Sequence, residues 1–170
     1  MAAAELLKLS HAYKATVETT DGGGAVKVLD RKKHNYVLTT LVSNLEKTFT
    51  ISPRSRPLDG QLRLVHFGDV GGQRTMEVMK AAYRDGEHVG MRWKTSEGEK
   101  KQAEGEEEEQ EVGYDEVDEV KVAVLEEDPR WRKVCIDGTI VEIEQGGWVK
   151  VAMTRQGEER LRVLVDRAVL

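Results

Sequence analysis

Four histidines (His11, His34, His66 and His88), one cysteine (Cys135) and five serines could act as ligands, bases or nucleophiles. Their spacing assembles no reaction. No two histidines stand three or four residues apart, as a helical zinc site requires, and each falls in a different stretch. No serine lies in a G-x-S-x-G elbow. ATP chemistry needs a place to hold the phosphates, yet neither G-x-x-x-x-G-K-[ST] nor G-x-G-x-x-G occurs. Asp21-Gly22-Gly23-Gly24 is glycine-rich, but it lies between two strand patterns with no helix after it and reads as a hairpin turn. Cys135 sits between Val134 and Ile136 in an apolar strand pattern, which predicts a buried structural thiol.

One stretch organises the polar groups that remain: Ile51–Phe67, reading ISPRSRPLDGQLRLVHF. Pro53 and Pro57 fix their own φ and push Ser52 and Arg56 toward extended geometry. Asp59-Gly60 then turns the chain, since glycine reaches positive φ cheaply and aspartate bonds its own backbone. Leu62–Phe67 follows as a strand with apolar residues at both odd and even positions, the pattern of a strand covered on both faces.

The remaining elements read in order. Ala2–His11 has helix-forming composition. Tyr13–Thr19 alternates as a strand and Ala25–Leu29 returns from the glycine turn with Val26 and Val28 aligned. Tyr36–Ser43 is a continuous β-branched and aliphatic run that predicts a central strand. Gly72–Arg84 carries Met76, Met79, Ala82 and Tyr83 at helical spacing, and Gly86 stops it. A methionine stripe serves either a core or a pocket for a flexible ligand, and both readings stay open. From about Val120 the chain alternates as strands joined by Asp137-Gly138, Gly146-Gly147 and Gln156-Gly157, with Trp148–Met153 returning after Thr139–Ile143 and Leu161–Val165 as the last strand. The expected fold is mostly β (α+β): an antiparallel two-sheet β-sandwich with about two helices.

Charge is unevenly placed. The formal net charge is −5, but 12 acidic and 2 basic residues fall between Glu97 and Glu119, a net of −10 that leaves +5 for the remainder. Residues 95–111 are almost free of bulky apolar side chains and cannot offset their ordering entropy, so they read as a disordered acidic insertion. A mild basic excess suits anionic lipid or nucleotide phosphate and is too weak for DNA or RNA, so no nucleic-acid partner is expected. No run of about 18 apolar residues is present, and the acidic N-terminus does not read as a signal peptide. A cytoplasmic protein, with a peripheral membrane surface as a candidate partner, is the expectation.

The basic proline loop, Asp-Gly and "LRLV", followed by the helix and Gly86-Glu87-His88, resembles the second domain of the diacylglycerol kinase and sphingosine kinase superfamily. Val134-Cys135-Ile136-Asp137-Gly138-Thr139 resembles that family's valine-rich strand ending in "DGE", and Glu5–Thr19 its helix-then-strand opening. The three marks occur in the family's order across nearly the whole chain. The resemblance implies that residues 1–170 are the C-terminal β-sandwich of a lipid kinase, whose N-terminal domain with its Gly-Gly-Asp-Gly motif and its ATP and Mg²⁺ lies elsewhere; the unpartnered first helix is expected on the same reading. It implies that Asp59 matches an aspartate that holds a structural Mg²⁺, and a carboxylate beside turn carbonyls offers the hard oxygens that ion takes. It implies that Asp137, Gly138 and Thr139 reach toward the nucleotide, with Thr139 standing where the family has glutamate; a hydroxyl cannot replace a carboxylate as base or charge partner. Val37, Leu38, Leu41, Met76 and Met79 would then wall the sphingoid or acyl chain of the lipid substrate. A stand-alone, non-catalytic β-sandwich that binds lipid or a protein partner is the alternative.

Overall fold

The structure is a computed structural model that describes residues 11–94 and 109–153. The helix expected over Ala2–His11, the strand expected over Leu161–Val165 and residues 95–108 of the acidic stretch lie outside these residues, apart from His11.

In chain order the described elements are β1 (Tyr13–Thr20), β2 (Val26–Val28), β3 (Lys33–His34), β4 (Tyr36–Thr40), β5 (Asn44–Glu46), β6 (Phe49–Thr50) and β7 (Leu62–Phe67). Helix α1 (Gly71–Ala82) comes next, then β8 (Arg92–Lys94), β9 (Glu109–Glu111), β10 (Gly113–Val117) and β11 (Glu119–Val124). A short 3-10 turn (Pro129–Trp131) precedes β12 (Lys133–Ile136), β13 (Thr139–Glu142) and β14 (Trp148–Ala152). The molecule is mostly β, every pairing is antiparallel, and α1 is the one α-helix among the described residues.

The larger sheet runs β14-β11-β1-β2, with β3 pairing β1 at its other end; the second runs β10-β7-β4. β7 is the middle strand of the second sheet and all six of its residues are buried, as the sequence pattern requires. Its side chains alternate between two cores. Leu62 and Leu64 join Val17 of β1, Val120 of β11, Val117 and Leu29 in one cluster, which therefore takes residues from both sheets. Val65 and Phe67 point the other way and join Ile51, Phe49, Val112 and the α1 residues Val78 and Ala82. The helix is the cover for that second face.

The structure corrects several sequence expectations. Among the described residues β4 is an edge strand, paired with β7 alone, and the run leaves the sheet at Leu41, where Leu41 and Val42 become exposed. Val26 and Val28 are exposed on the short edge strand β2, while Leu29 just after them is buried. Trp148–Ala152 does not return on β13; it crosses to pair with β11, so β12–β13 stands as a separate hairpin. Cys135, on that hairpin, is exposed rather than buried, because no other strand among the described residues pairs with it. The last three residues of the 95–111 stretch are a strand: β9 pairs with β8, and Arg92 Nε meets Glu111 Oε2 at 3.1 Å. Their apolar content is low, but ladder hydrogen bonds and the ion pair need none. No helix among the described residues is long and apolar enough to cross a membrane.

Candidate functional site

The loop between β6 and β7 is braced from three sides. Its first brace is a trio of hydroxyls. Ser52 Oγ lies 2.8 Å from Ser55 Oγ and 2.7 Å from Tyr114 Oη, and Arg54 N donates to the same Tyr114 Oη at 3.1 Å. The guanidinium of Arg54 lies over the Tyr114 ring, 5.1 Å from its centroid. Ser52 and Ser55 are both buried, so each hydroxyl needs such a partner.

The second brace is Arg63, a buried charge one residue into β7. Its Nη1 donates to Asp59 Oδ2 at 2.7 Å, to Ser55 Oγ at 3.2 Å and to the Gln61 carbonyl at 3.3 Å, while Nη2 reaches Glu116 Oε1 at 3.4 Å. Asp59 in turn accepts from the amides of Gln61 and Arg56, at 2.9 and 3.0 Å. Partial burial pushes the Asp59 carboxyl up, but these amide bonds and Arg63 outweigh it and hold it below the usual carboxylate range. Arginine suits the position because its planar fork serves several acceptors at once.

The third brace is the segment after α1. His88, fully buried, donates from Nε2 to the Ile51 carbonyl at 3.0 Å. Gly86 has φ 81° and lies so close to the loop that a Cβ there would come within 2.8 Å of Pro53 Cγ. The Gly-x-His closure and the proline loop are thus one packed unit.

The candidate residues separate in space. Asp59 does not fit a Mg²⁺ ion: both its oxygens are engaged and a guanidinium occupies the cation position. No group of three or more His, Cys, Asp or Glu residues among those described could hold a metal. Asp137 and Gly138 form the two-residue turn of the β12–β13 hairpin, with φ 46° and 82°, the geometry of a tight turn matched to strand twist. Thr139 pairs with Ile136 at its base. Leu38 and Met79 pack against the cluster under α1, whereas Val37 packs against the cluster shared by the two sheets. Met76 is half-buried on α1 and Leu41 is exposed. The five apolar candidates therefore do not line one wall: Leu38 and Met79 share one cluster, and Val37 faces the other.

Sequence reasoning missed Arg63, Tyr114 and the clamp by His88. The signal for Arg63 was present: a charged residue inside LRLVHF, an otherwise apolar strand, demands a buried partner. Tyr114 gave none, because its partner Ser52 lies 62 residues away.

No protein-family model matches this chain, and no curated protein matches it.

Proposed function

We propose that the chain is the substrate-side domain of an ATP-dependent lipid kinase of the diacylglycerol or sphingosine kinase type. The observation that carries this reading is the packing of the proline loop against Gly86-Glu87-His88. The two ends of the first and longest sequence mark of that superfamily, the proline loop and Gly86-Glu87-His88, meet through the His88–Ile51 bond and the Gly86–Pro53 contact. The second mark, ending in Asp137-Gly138-Thr139, lies on a hairpin whose Ile136, Ile140 and Val141 are exposed, a surface available to another domain. The two-sheet sandwich belongs to the same proposal and is supported by the cluster that takes residues from both sheets.

On this reading ATP and Mg²⁺ are bound by an N-terminal domain outside these residues, and this chain contributes lipid contacts from Leu41, Leu38, Met76 and Met79. A diacylglycerol or sphingoid base would be held with its hydroxyl directed at the nucleotide, the positioning role that phosphoryl transfer asks of such a domain. The chain alone with ATP, Mg²⁺ and either lipid is expected to form no phosphorylated lipid. Turnover under those conditions would sink the reading. Thr139, at the position of a carboxylate, favours a second reading: a non-catalytic module that binds lipid or a protein partner. Supplying a superfamily ATP domain in trans separates the two, since only the first gives product.

A further inference from the structure

The loop Pro53–Gly60 holds a leucine where the backbone favours glycine. Leu58 has φ 60°, a conformation in which a Cβ crowds the following carbonyl. Its side chain is 64 % exposed, so no core packing compensates. The positive φ belongs to the third residue of a turn closed by Asp59 N donating to the Arg56 carbonyl at 3.2 Å, and that turn leaves the Leu58 side chain on the surface. Arg54, Arg56 and Pro57 beside it are exposed as well. Arg54 rests on the Tyr114 ring, and no carboxylate among the described residues pairs with it. The Arg56 guanidinium has no acidic partner among the described residues, the nearest carboxylate of the loop, Asp59, being taken up by Arg63.

We propose that this loop is a preformed finger that docks on an anionic lipid surface. Leu58 enters the boundary between headgroups and acyl chains, and Arg54 and Arg56 pair with headgroup phosphate and carboxylate oxygens. The three braces fix the loop before it binds, so docking orders little further chain. Guanidinium forks match phosphate oxygens, and an apolar tip flanked by arginines suits an interface with water on one side and hydrocarbon on the other. An acidic protein would complement the arginines but offers a projecting leucine nothing unless it carries a matching pocket. The inference deepens the lipid-kinase reading by naming how the domain meets the bilayer that holds its substrate. It is testable on vesicles that contain no kinase substrate, so it can fail while the kinase reading stands.

The full chain is sedimented with vesicles of phosphatidylcholine containing phosphatidylserine, and with phosphatidylcholine alone. Binding is expected to the acidic vesicles only and to weaken with added salt. Leu58→Gly keeps the positive φ, and should weaken binding about tenfold, the loss of one leucine from an apolar phase. Arg54→Ala and Arg56→Ala should each weaken it about fivefold. If Leu58→Gly alters the fold, the two arginine variants still decide, because both side chains are exposed. No binding to acidic vesicles overturns the proposal, as do variants that bind like the wild type. Competition by polyglutamate, with Leu58→Gly having no effect, would reassign the loop to an acidic protein.

Discussion

At the scale of single residues, the molecule's most exacting group is Arg63, because it is a nearly buried charge whose side chain is only 7 % exposed. Breaking a buried pair from one side strands the other charge, whereas replacing the cation with an apolar group of similar volume removes the need for a partner. Asp59→Ala should therefore cost about 3 kcal/mol, and Arg63→Met about 1 kcal/mol or less; urea unfolding of the two variants checks the order. Equal losses would mean that Glu116, the second carboxylate on Arg63, already compensates. His34 behaves differently. Burial presses its pKa down to about 4, against the opposing bond it donates to the Ala15 carbonyl at 3.2 Å. The folded state thus refuses a proton that the unfolded chain accepts below its ordinary value of 6.5. Stability is complete above that value and falls as pH drops from about 6.5 toward about 4, by on the order of 1 to 3 kcal/mol. A His34→Gln variant should flatten that part of a denaturation midpoint against pH; an unchanged slope would place the effect elsewhere, with buried His88, whose pKa is also lowered by burial, the next to test.

At the scale of elements, β7 and the β12–β13 hairpin are opposites. β7 was legible from LRLVHF alone, because two apolar faces in six residues permit little except a strand with cover on both sides. The helix after it was legible to within two residues from its spacing. The hairpin's turn was equally legible, since Asp137-Gly138 is a two-residue turn signal. Its burial was not. Apolar alternation in Val134–Ile136 says that the segment is a strand, not which other strand lies across it, and here β14 pairs with β11 instead. The consequence falls on Cys135. An exposed thiol reacts without unfolding, so a maleimide should label the native chain to completion as fast as it labels the urea-unfolded chain. Protection in the native state would show that something covers the hairpin. β4 failed in the same way: YVLTTLVS carries the composition of a central strand, and only tertiary pairing makes it an edge.

For the whole molecule, two cores on either face of one central strand bring together segments far apart in sequence. Ile51 and Phe67, Val78 and Val112 all meet in the cluster under α1. Such long-range meetings explain what the sequence could and could not show of the candidate site. The loop turn and the helix stop are local and were readable; the hydroxyl trio, the Arg63 network and the His88 bond each need a partner 37 to 62 residues distant and were not. The same packing sends Val37 and Leu38 to opposite sides of the sheet, as neighbours on a strand must go, and so divides the apolar residues first grouped as one wall. The proposed handling of a long-chain lipid by this fold is tested by saturable binding of fluorescent sphingosine or diacylglycerol to the full chain. Leu41 is exposed, so Leu41→Asp leaves both cores intact. One lipid per chain is expected, with at least about tenfold weaker binding by Leu41→Asp, the equivalent of about 1.4 kcal/mol. No saturable binding, or equal binding by wild type and variant, would contradict it.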